Sequence, residues 1–249
     1  RNITWSSSNK SVATIDKNGK VKSLKTGKTI ITATAENGSK AECEVEVMQK
    51  LEFLDKRDNH TYKIVQIEDQ IWMGENLRYL PEVNGVSINT ANPRYYVYDY
   101  KGTDVTAAKN TSNYRDYGAM YNYPAAINAC PAGWRLPTNH DWTNLMDIAG
   151  GSSVAGLKLN ATSGWSYGND GTDEYGFSAL PSGYFSAGAF SQVLINAYWW
   201  SAQDSTAGPY YWRILGGDGY GYRMGYSDIN KSDAFAVRCI AGKDKTASD

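Results

Sequence analysis

The feature that most constrains this chain is the segment Ala125-Ala-Ile-Asn-Ala-Cys-Pro-Ala-Gly-Trp-Arg-Leu-Pro-Thr-Asn-His-Asp-Trp-Thr-Asn-Leu145, taken with a distant second cysteine, Cys239. Pro124 suits a first helical turn. Tyr123, Ala126, Ile127 and Cys130 recur on one face, which predicts a helix running to Cys130, where Pro131 and Gly133 end it. Trp134–Leu136 reads as a strand piece. Thr138 then caps a second helix, with Asp141 three residues on completing a capping-box pattern. Trp142, Leu145, Met146 and Ala149 form the buried stripe of that helix, and Gly150-Gly151 stops it. Cys239 sits in the apolar strand Ala234-Phe-Ala-Val-Arg-Cys-Ile240. Cys130 and Cys239 are either a bridge or two buried thiols. A bridge would close a loop of roughly 110 residues, contribute about 4–5 kcal/mol in the chain-entropy model, and imply an oxidising compartment. A helix–turn–strand–helix at one end, tied to the last strand at the other, describes a looped domain closed on its own termini.

Composition narrows the function classes. At 249 residues the chain has room for one large or two modest domains. A net charge of −1 and a pI near 6.2 give no reason to expect nucleic acid or an acidic membrane surface. No apolar run is long enough for a transmembrane helix. The chain opens at Arg1 inside a domain pattern, so its targeting information and any surface anchor are expected upstream.

Two grammars divide the sequence. Residues 1–48 alternate: in Ala41-Glu-Cys-Glu-Val-Glu-Val47 the small or apolar residues face one way and three glutamates the other, a half-buried antiparallel strand. Ile30–Ala35 is another strand, and Lys17-Asn-Gly-Lys20 is a hairpin turn. On this pattern Cys43 is a core residue. From Leu51 the pattern changes, with strands at His60–Ile67 and Gln70–Leu77. Residues 84–116 are polar and lack sustained periodicity, as in a surface excursion. All 19 tyrosines, and every tryptophan but Trp5, lie after Lys50. Residues 242–249 read as a flexible tail.

These residues carry two resemblances. Trp5-Ser-Ser-Ser-Asn9, Val12-Ala-Thr-Ile-Asp16, Gly19-Lys-Val21 and Gly27…Ile31…Ala33 resemble the bacterial immunoglobulin-like group 2 domain. That family is a β-sandwich repeat of bacterial surface proteins serving mainly as a spacer, here only partial over 1–48. Tyr62-Lys-Ile-Val-Gln-Ile67, Gln70-Ile-Trp-Met-Gly-Glu-Asn-Leu77, Tyr117-Gly-Ala-Met-Tyr-Asn-Tyr123, Cys130-Pro-Ala-Gly-Trp-Arg-Leu-Pro-Thr138, Gly176-Phe-Ser-Ala-Leu-Pro-Ser-Gly183, Trp199-Trp-Ser201 and Phe235-Ala-Val-Arg-Cys239 resemble the Fibrobacter succinogenes major paralogous domain over 51–241. That family in turn looks like part of the C-type-lectin-like fold. The resemblance therefore implies an α+β head with two helices, mixed or antiparallel sheets and long loops, and a Cys130–Cys239 bridge. Formylglycine-generating enzymes share the Arg-Leu-Pro-Thr and apolar-Arg-Cys features. They need a close pair of active-site cysteines, however, and both cysteines here fall at structural positions, so that chemistry does not transfer.

Catalytic constellations are scarce. His60, in a turn, and His140, in the first turn of a helix, have neither a nucleophile elbow nor a carboxylate partner evident in sequence. No phosphate loop, dinucleotide fingerprint or zinc spacing occurs. Asn169-Asp-Gly-Thr-Asp-Glu174 gathers the hard oxygen donors calcium favours, with Asp170, Asp173 and Glu174 as candidate ligands against the plainer reading of a solvated acidic loop. No other cofactor is expected. The Glu-Pro-Asn or Gln-Pro-Asp and Trp-Asn-Asp motifs of calcium-dependent lectins are absent, and Trp200-Ser-Ala-Gln-Asp204 is a loose echo.

The stretch from Trp199 to Tyr226 remains. Tyr210–Leu215 and Tyr220–Tyr226 read as a hairpin, with Tyr220, Tyr222, Met224 and Tyr226 on one face and Gly221, Arg223 and Gly225 on the other. Tyr, Trp and Arg among glycines make a recognition palette. The candidate ligand-binding residues are Trp200, Asp204, Tyr210, Tyr211, Trp212, Arg213, Asp218, Tyr220, Tyr222, Arg223 and Tyr226, with half of the aromatics expected to fill core instead. The expected function is a non-enzymatic, exported, cell-surface binding or adhesion module. It would recognise an extracellular carbohydrate or protein. The alternatives are a tip or accessory subunit of a surface filament and, behind it, a glycan hydrolase.

Overall fold

The computed structural model describes residues 3–47, 51–202, 210–215, 222–228 and 230–242; nearly all of the expected tail lies outside them. It divides into two compact units, Arg1–Leu51 and Glu52–Asp249.

The first unit is all β. Strands β1 (Ile3–Ser7), β2 (Ala13–Ile15), β3 (Val21–Ser23), β4 (Gly27–Ala35) and β5 (Lys40–Val47) form an antiparallel sheet of order β1-β4-β5 and a β2-β3 hairpin. The predicted turn closes that hairpin. Gly19 takes φ +82° there, lying so close to the Trp5 ring that a side chain would collide with it. Val12, Ala13 and Ile31 are the buried apolar residues of the unit. Buried Thr29 ties Ser7, Ser8 and the Asn9 amide together through its hydroxyl. Alternation along β5 holds: Glu44 and Glu46 share a face with Lys28, whose ammonium lies 2.8 and 3.7 Å from them. Cys43 is a correction, because it is exposed. It pairs with buried Ile31 and so faces inward. Yet β5 is the outer strand of the sheet, and within the unit the β2-β3 hairpin is the described second layer. Facing the core side does not bury a residue that nothing overlies.

The second unit is mostly β. Its elements are β6 (Leu51–Asp55), β7 (His60–Ile67), β8 (Gln70–Met73), β9 (Tyr95–Tyr96), α1 (Val105–Lys109), α2 (Ser112–Tyr117), β10 (Met120–Asn122), α3 (Tyr123–Ala126), β11 (Trp134–Arg135), α4 (Asn139–Ile148), α5 (Ala155–Leu159), β12 (Ser182–Ser186), β13 (Ala189–Val193), β14 (Asn196–Trp200), β15 (Tyr210–Leu215), β16 (Met224–Asp228), β17 (Ala234–Ala236) and β18 (Ile240–Ala241). One sheet runs β13-β12-β17-β14-β15-β16 with β10 and β9 attached; another runs β11-β18-β8-β7-β6. Among the described residues the pairings of β7 to β18 are antiparallel except β14 with β17, and two isolated bridges, Thr138–Ala202 and Asn160–Ala179, are parallel. Cys130 and Cys239 are disulfide-bonded across 109 residues, fastening the α3–β11 connection to the β17–β18 connection.

Strand β14 explains the core. All five residues, Asn-Ala-Tyr-Trp-Trp, are buried, so both faces of the strand are covered. Tyr198 and Trp200 enter one cluster with Tyr62, Tyr121, Phe235 and Cys239. Ala197 and Trp199 enter another with Trp72, Trp142, Phe177 and Trp212. There Trp142 stacks on Trp199 at 5.5 Å and on Trp212 at 6.3 Å. Trp142 comes from α4, whose predicted capping box is present in full: Thr138 accepts from the Asp141 amide, and Asp141 accepts from the Thr138 amide at 2.7 Å. Burial pushes the Asp141 carboxyl up, but hydrogen bonds from Arg135 and Thr138 outweigh it and hold the group below the usual aspartate value.

Two further expectations are corrected. The helix beginning at Pro124 makes one turn, ends at Ala126 and leaves Ile127 exposed; turns, not helix, carry the chain to Cys130. The excursion over 84–116 is not confined to the surface. Tyr96, Val97, Ala108 and Tyr114 from it are buried, and it holds α1 and α2, capped by Asp104 and Thr111.

The buried tyrosines make the fold alkali-sensitive. Burial raises the phenols of Tyr62 and Tyr121, and takes Tyr96 and Tyr114 to about 12, against an ordinary value of 10.0. The folded chain thus keeps protons that the unfolded chain releases above pH 10, so their contribution is whole below that pH and is lost as pH rises through the folded values. Desolvation of the Arg238 guanidinium opposes this, but from a single group. Base-induced unfolding is expected above pH 10, with phenolate absorbance of these tyrosines rising together with loss of near-ultraviolet dichroism. Complete ionisation ahead of the dichroism change would contradict it.

Candidate ligand-binding face

The predicted hairpin is present as β15 and β16, in the register Trp212↔Tyr226 and Ile214↔Met224. Paired residues share a face, and here that face is turned inward over much of its length. Trp212, Ile214 and Met224 are buried. The Trp212 indole donates to Asn139 Oδ1 at 2.6 Å, joining the hairpin to the first turn of α4. Tyr226 lies on the outside of Trp212, ring centroids 5.2 Å apart, with 53% of its surface exposed.

Below β16 the chain meets α5 closely. The Gly156 amide donates to the Tyr222 carbonyl, and a Cβ at position 156 would run into that oxygen. Tyr222 is consequently fixed, and its hydroxyl donates to the carbonyls of Asp170 at 3.2 Å and Gly168 at 3.4 Å. Those carbonyls belong to the loop that carries Tyr167, a non-glycine residue at φ +59° with 65% of its surface exposed. The Ser166 amide of the same loop donates to the carbonyl of exposed Leu194. Left-handed backbone at a bulky residue is costly and marks a site worth testing for function.

Of the sequence candidates, Tyr222, Arg223 and Tyr226 come to this surface, Arg223 being exposed. Trp200 and Trp212 do not: both are fully buried, Trp200 donating its indole N–H to the Tyr121 carbonyl at 2.5 Å, so neither offers a ring to a ligand. Tyr210, Tyr211 and Arg213 lie in β15, with side chains outside the described set; Asp204, Asp218 and Tyr220 lie outside the described residues. Tyr167 and Leu194 were missed, because neither belongs to a segment with sustained periodicity.

The acidic loop does not converge. Asp170 accepts from the Trp165 amide at 2.9 Å, Asp173 accepts from Ser178 N and Oγ at 2.6 Å each, and Glu174 pairs with Lys158 at 3.4 Å. Asp170 and Asp173 serve their own loop while Glu174 turns to α5, and among the described residues no three His, Cys, Asp or Glu side chains gather to hold a metal. His60 gains a partner that the sequence did not reveal, Glu75 at 3.4 Å, which also pairs with Arg78; His140 is exposed.

A β-rich protein of two units, the larger closed by a disulfide and carrying an exposed tyrosine face, is the class these features define. The chain belongs to the Fibrobacter succinogenes major domain family, whose profile matches residues 65–241. Residues 1–45 match the profile of the bacterial Ig-like domain (group 2). No curated protein and no solved structure matches the chain. Among the described residues no helix is long and apolar enough to cross a membrane.

Proposed function

We propose that this chain is an extracellular binding module, in which an immunoglobulin-like unit accompanies a head of the C-type-lectin-like kind that recognises a carbohydrate or protein outside the cell. The observation that carries this reading is the set of rigidly seated yet exposed tyrosines. Tyr226 rests on buried Trp212, and Tyr222 is pinned to the loop that holds Tyr167 outward. Tyrosine gives contact area at low entropic cost, and Arg223 adds donors beside it. The disulfide and the immunoglobulin-like match support an exported protein.

The test is a screen of immobilised glycans and extracellular matrix proteins, repeated with Tyr167→Ala and Arg223→Ala. Both side chains are exposed, so stability should hold while affinity falls by about tenfold, about 1.4 kcal/mol, for each. Unchanged signals in both variants would remove the face from consideration. A second reading, a subunit of a surface filament, is favoured by one observation: β16 ends the sheet order, and although the Ser152 carbonyl takes the Met224 amide, no described strand pairs with its outer edge beyond Met224, where a strand from another chain could add. A protein that stays monomeric at high concentration and captures no strand-donating subunit would count against it.

A further inference from the structure

We propose that the cleft between the first turn of α4 and the β7–β8 turn is a second binding site, one that takes a neutral saccharide residue. It does not rest on the tyrosine face. The cleft is a cavity of about 290 Å³ lined by Asp69, Ile71, Arg135, His140 and Asn144 together with residues 240–242. That volume is at the lower end for small-molecule sites: room for one or two sugar rings, not for a folded partner.

The polar groups divide into two sets. Arg135 and Asp141 are spent on each other, as a fork with Nη1–Oδ2 2.5 Å and Nη2–Oδ1 2.9 Å, and Gln70 is spent between the Asp141 carbonyl and the Trp72 indole. Asp69, His140 and Asn144 have no hydrogen-bond or ion-pair partner among the described residues, though all three border one cavity. They offer a carboxylate that accepts, an amide that both donates and accepts, and an imidazole that can do either. Hydroxyl groups on neighbouring ring carbons need that mixture, because each donates and accepts.

Charge selects among ligands. The Arg135 cation is neutralised by Asp141, which leaves Asp69 as the carboxylate of the cleft without a cationic partner, and among the described residues lining it no unpaired Lys or Arg offsets the repulsion an anionic ligand would meet. Ile71, part-exposed at the rim, gives an apolar surface for the C–H side of a sugar ring. A neutral polyol fits these walls; a phosphate, a carboxylated sugar or a nucleic acid does not.

The test is a titration of the whole chain, followed by NMR, with neutral di- and trisaccharides of glucose, galactose, mannose and N-acetylglucosamine, and with sialyllactose as the anionic control. At least one neutral probe should shift the Asn144 side-chain amide and the His140 ring signals, with a Kd on the order of 1 mM. Asp69→Asn and Asn144→Ala should each weaken that Kd at least about fivefold with an unchanged melting temperature, and Tyr167→Ala should leave it as it is. The proposal is overturned if no neutral probe shifts those signals, if the shifts survive in both cleft variants, or if sialyllactose binds as tightly as the neutral probes. Equal weakening by Tyr167→Ala would also overturn it, by merging the cleft with the tyrosine face. Failure of glycan or protein capture at that face leaves this outcome untouched.

Discussion

Removing the Cys130–Cys239 bridge, by Cys130→Ala with Cys239→Ala, is expected to cost the larger unit about 3–5 kcal/mol and to lower its melting temperature by on the order of 10 °C. The argument is one of chain entropy. The bridge spans 109 residues, so it forbids the unfolded chain a very large set of conformations. The folded state itself loses little, since two sulfur atoms are replaced by small side chains in a core already filled by aromatic rings. Reduced wild-type protein should therefore unfold at about the same denaturant concentration as the double variant. Cys239 is fully buried while Cys130 is partly exposed, so a reductant should act slowly on the native protein and quickly once denaturant is added. Cys43 supplies the internal control: exposed in the other unit, it should take up an alkylating reagent at once, giving one adduct on the native chain and three after reduction and unfolding. A midpoint shift worth less than about 1 kcal/mol would refute the entropic account.

Local chemistry made part of this structure legible in advance. The capping box at Thr138 and Asp141, the glycine stop after α4, the turn at Lys17–Lys20 and the β15–β16 pairing each depend on a few neighbouring residues, and each is found. What depends on distant cover was not legible. Alternation states which residues share a face; it does not state whether anything lies over that face. Cys43 and Trp212 failed for this one reason in opposite directions, Cys43 facing inward beneath no layer and Trp212 lying under α4 and Tyr226. Trp200 failed because β14 is covered on both sides, so no residue on it could be a surface residue. Tyr167 escaped notice because its exposure comes from a left-handed backbone, which periodicity does not encode. Likewise Val97, Ala108 and Tyr114 are buried by contacts far along the chain, not by a pattern of their own.

The same dependence on distant partners governs Arg238, where the second large effect is expected. Four of the segments that carry the family likeness meet at this residue. Asn76 Oδ1 accepts from Arg238 Nε at 3.2 Å, from Nη2 at 2.9 Å and from the Trp199 indole at 2.8 Å; Nη1 donates to the Phe177 carbonyl, and the guanidinium lies over the Phe177 ring at 4.3 Å. Desolvation pulls the guanidinium pKa down, partly offset by the more distant Glu75 and Asp173, but with an intrinsic value above about 12 it stays charged at neutral pH, fully buried and with no ion-pair partner among the described residues. Asn76→Ala would strip that charge of its chief acceptor and is expected to cost about 3–5 kcal/mol. Arg238→Met removes the charge itself. Asn76 would keep its bond from Trp199, the Phe177 carbonyl would lose a donor, and the cost should be smaller, about 1–3 kcal/mol. Made in the Arg238→Met background, Asn76→Ala should then cost at least about 1 kcal/mol less than in the wild type, because no buried cation remains to be orphaned. Denaturant unfolding of the four proteins measures this coupling. Additivity within about 0.5 kcal/mol would mean that the aromatic rings and the Phe177 carbonyl suffice to hold the charge, and that Asn76 serves the Trp199 indole and the Tyr117 carbonyl, not the guanidinium.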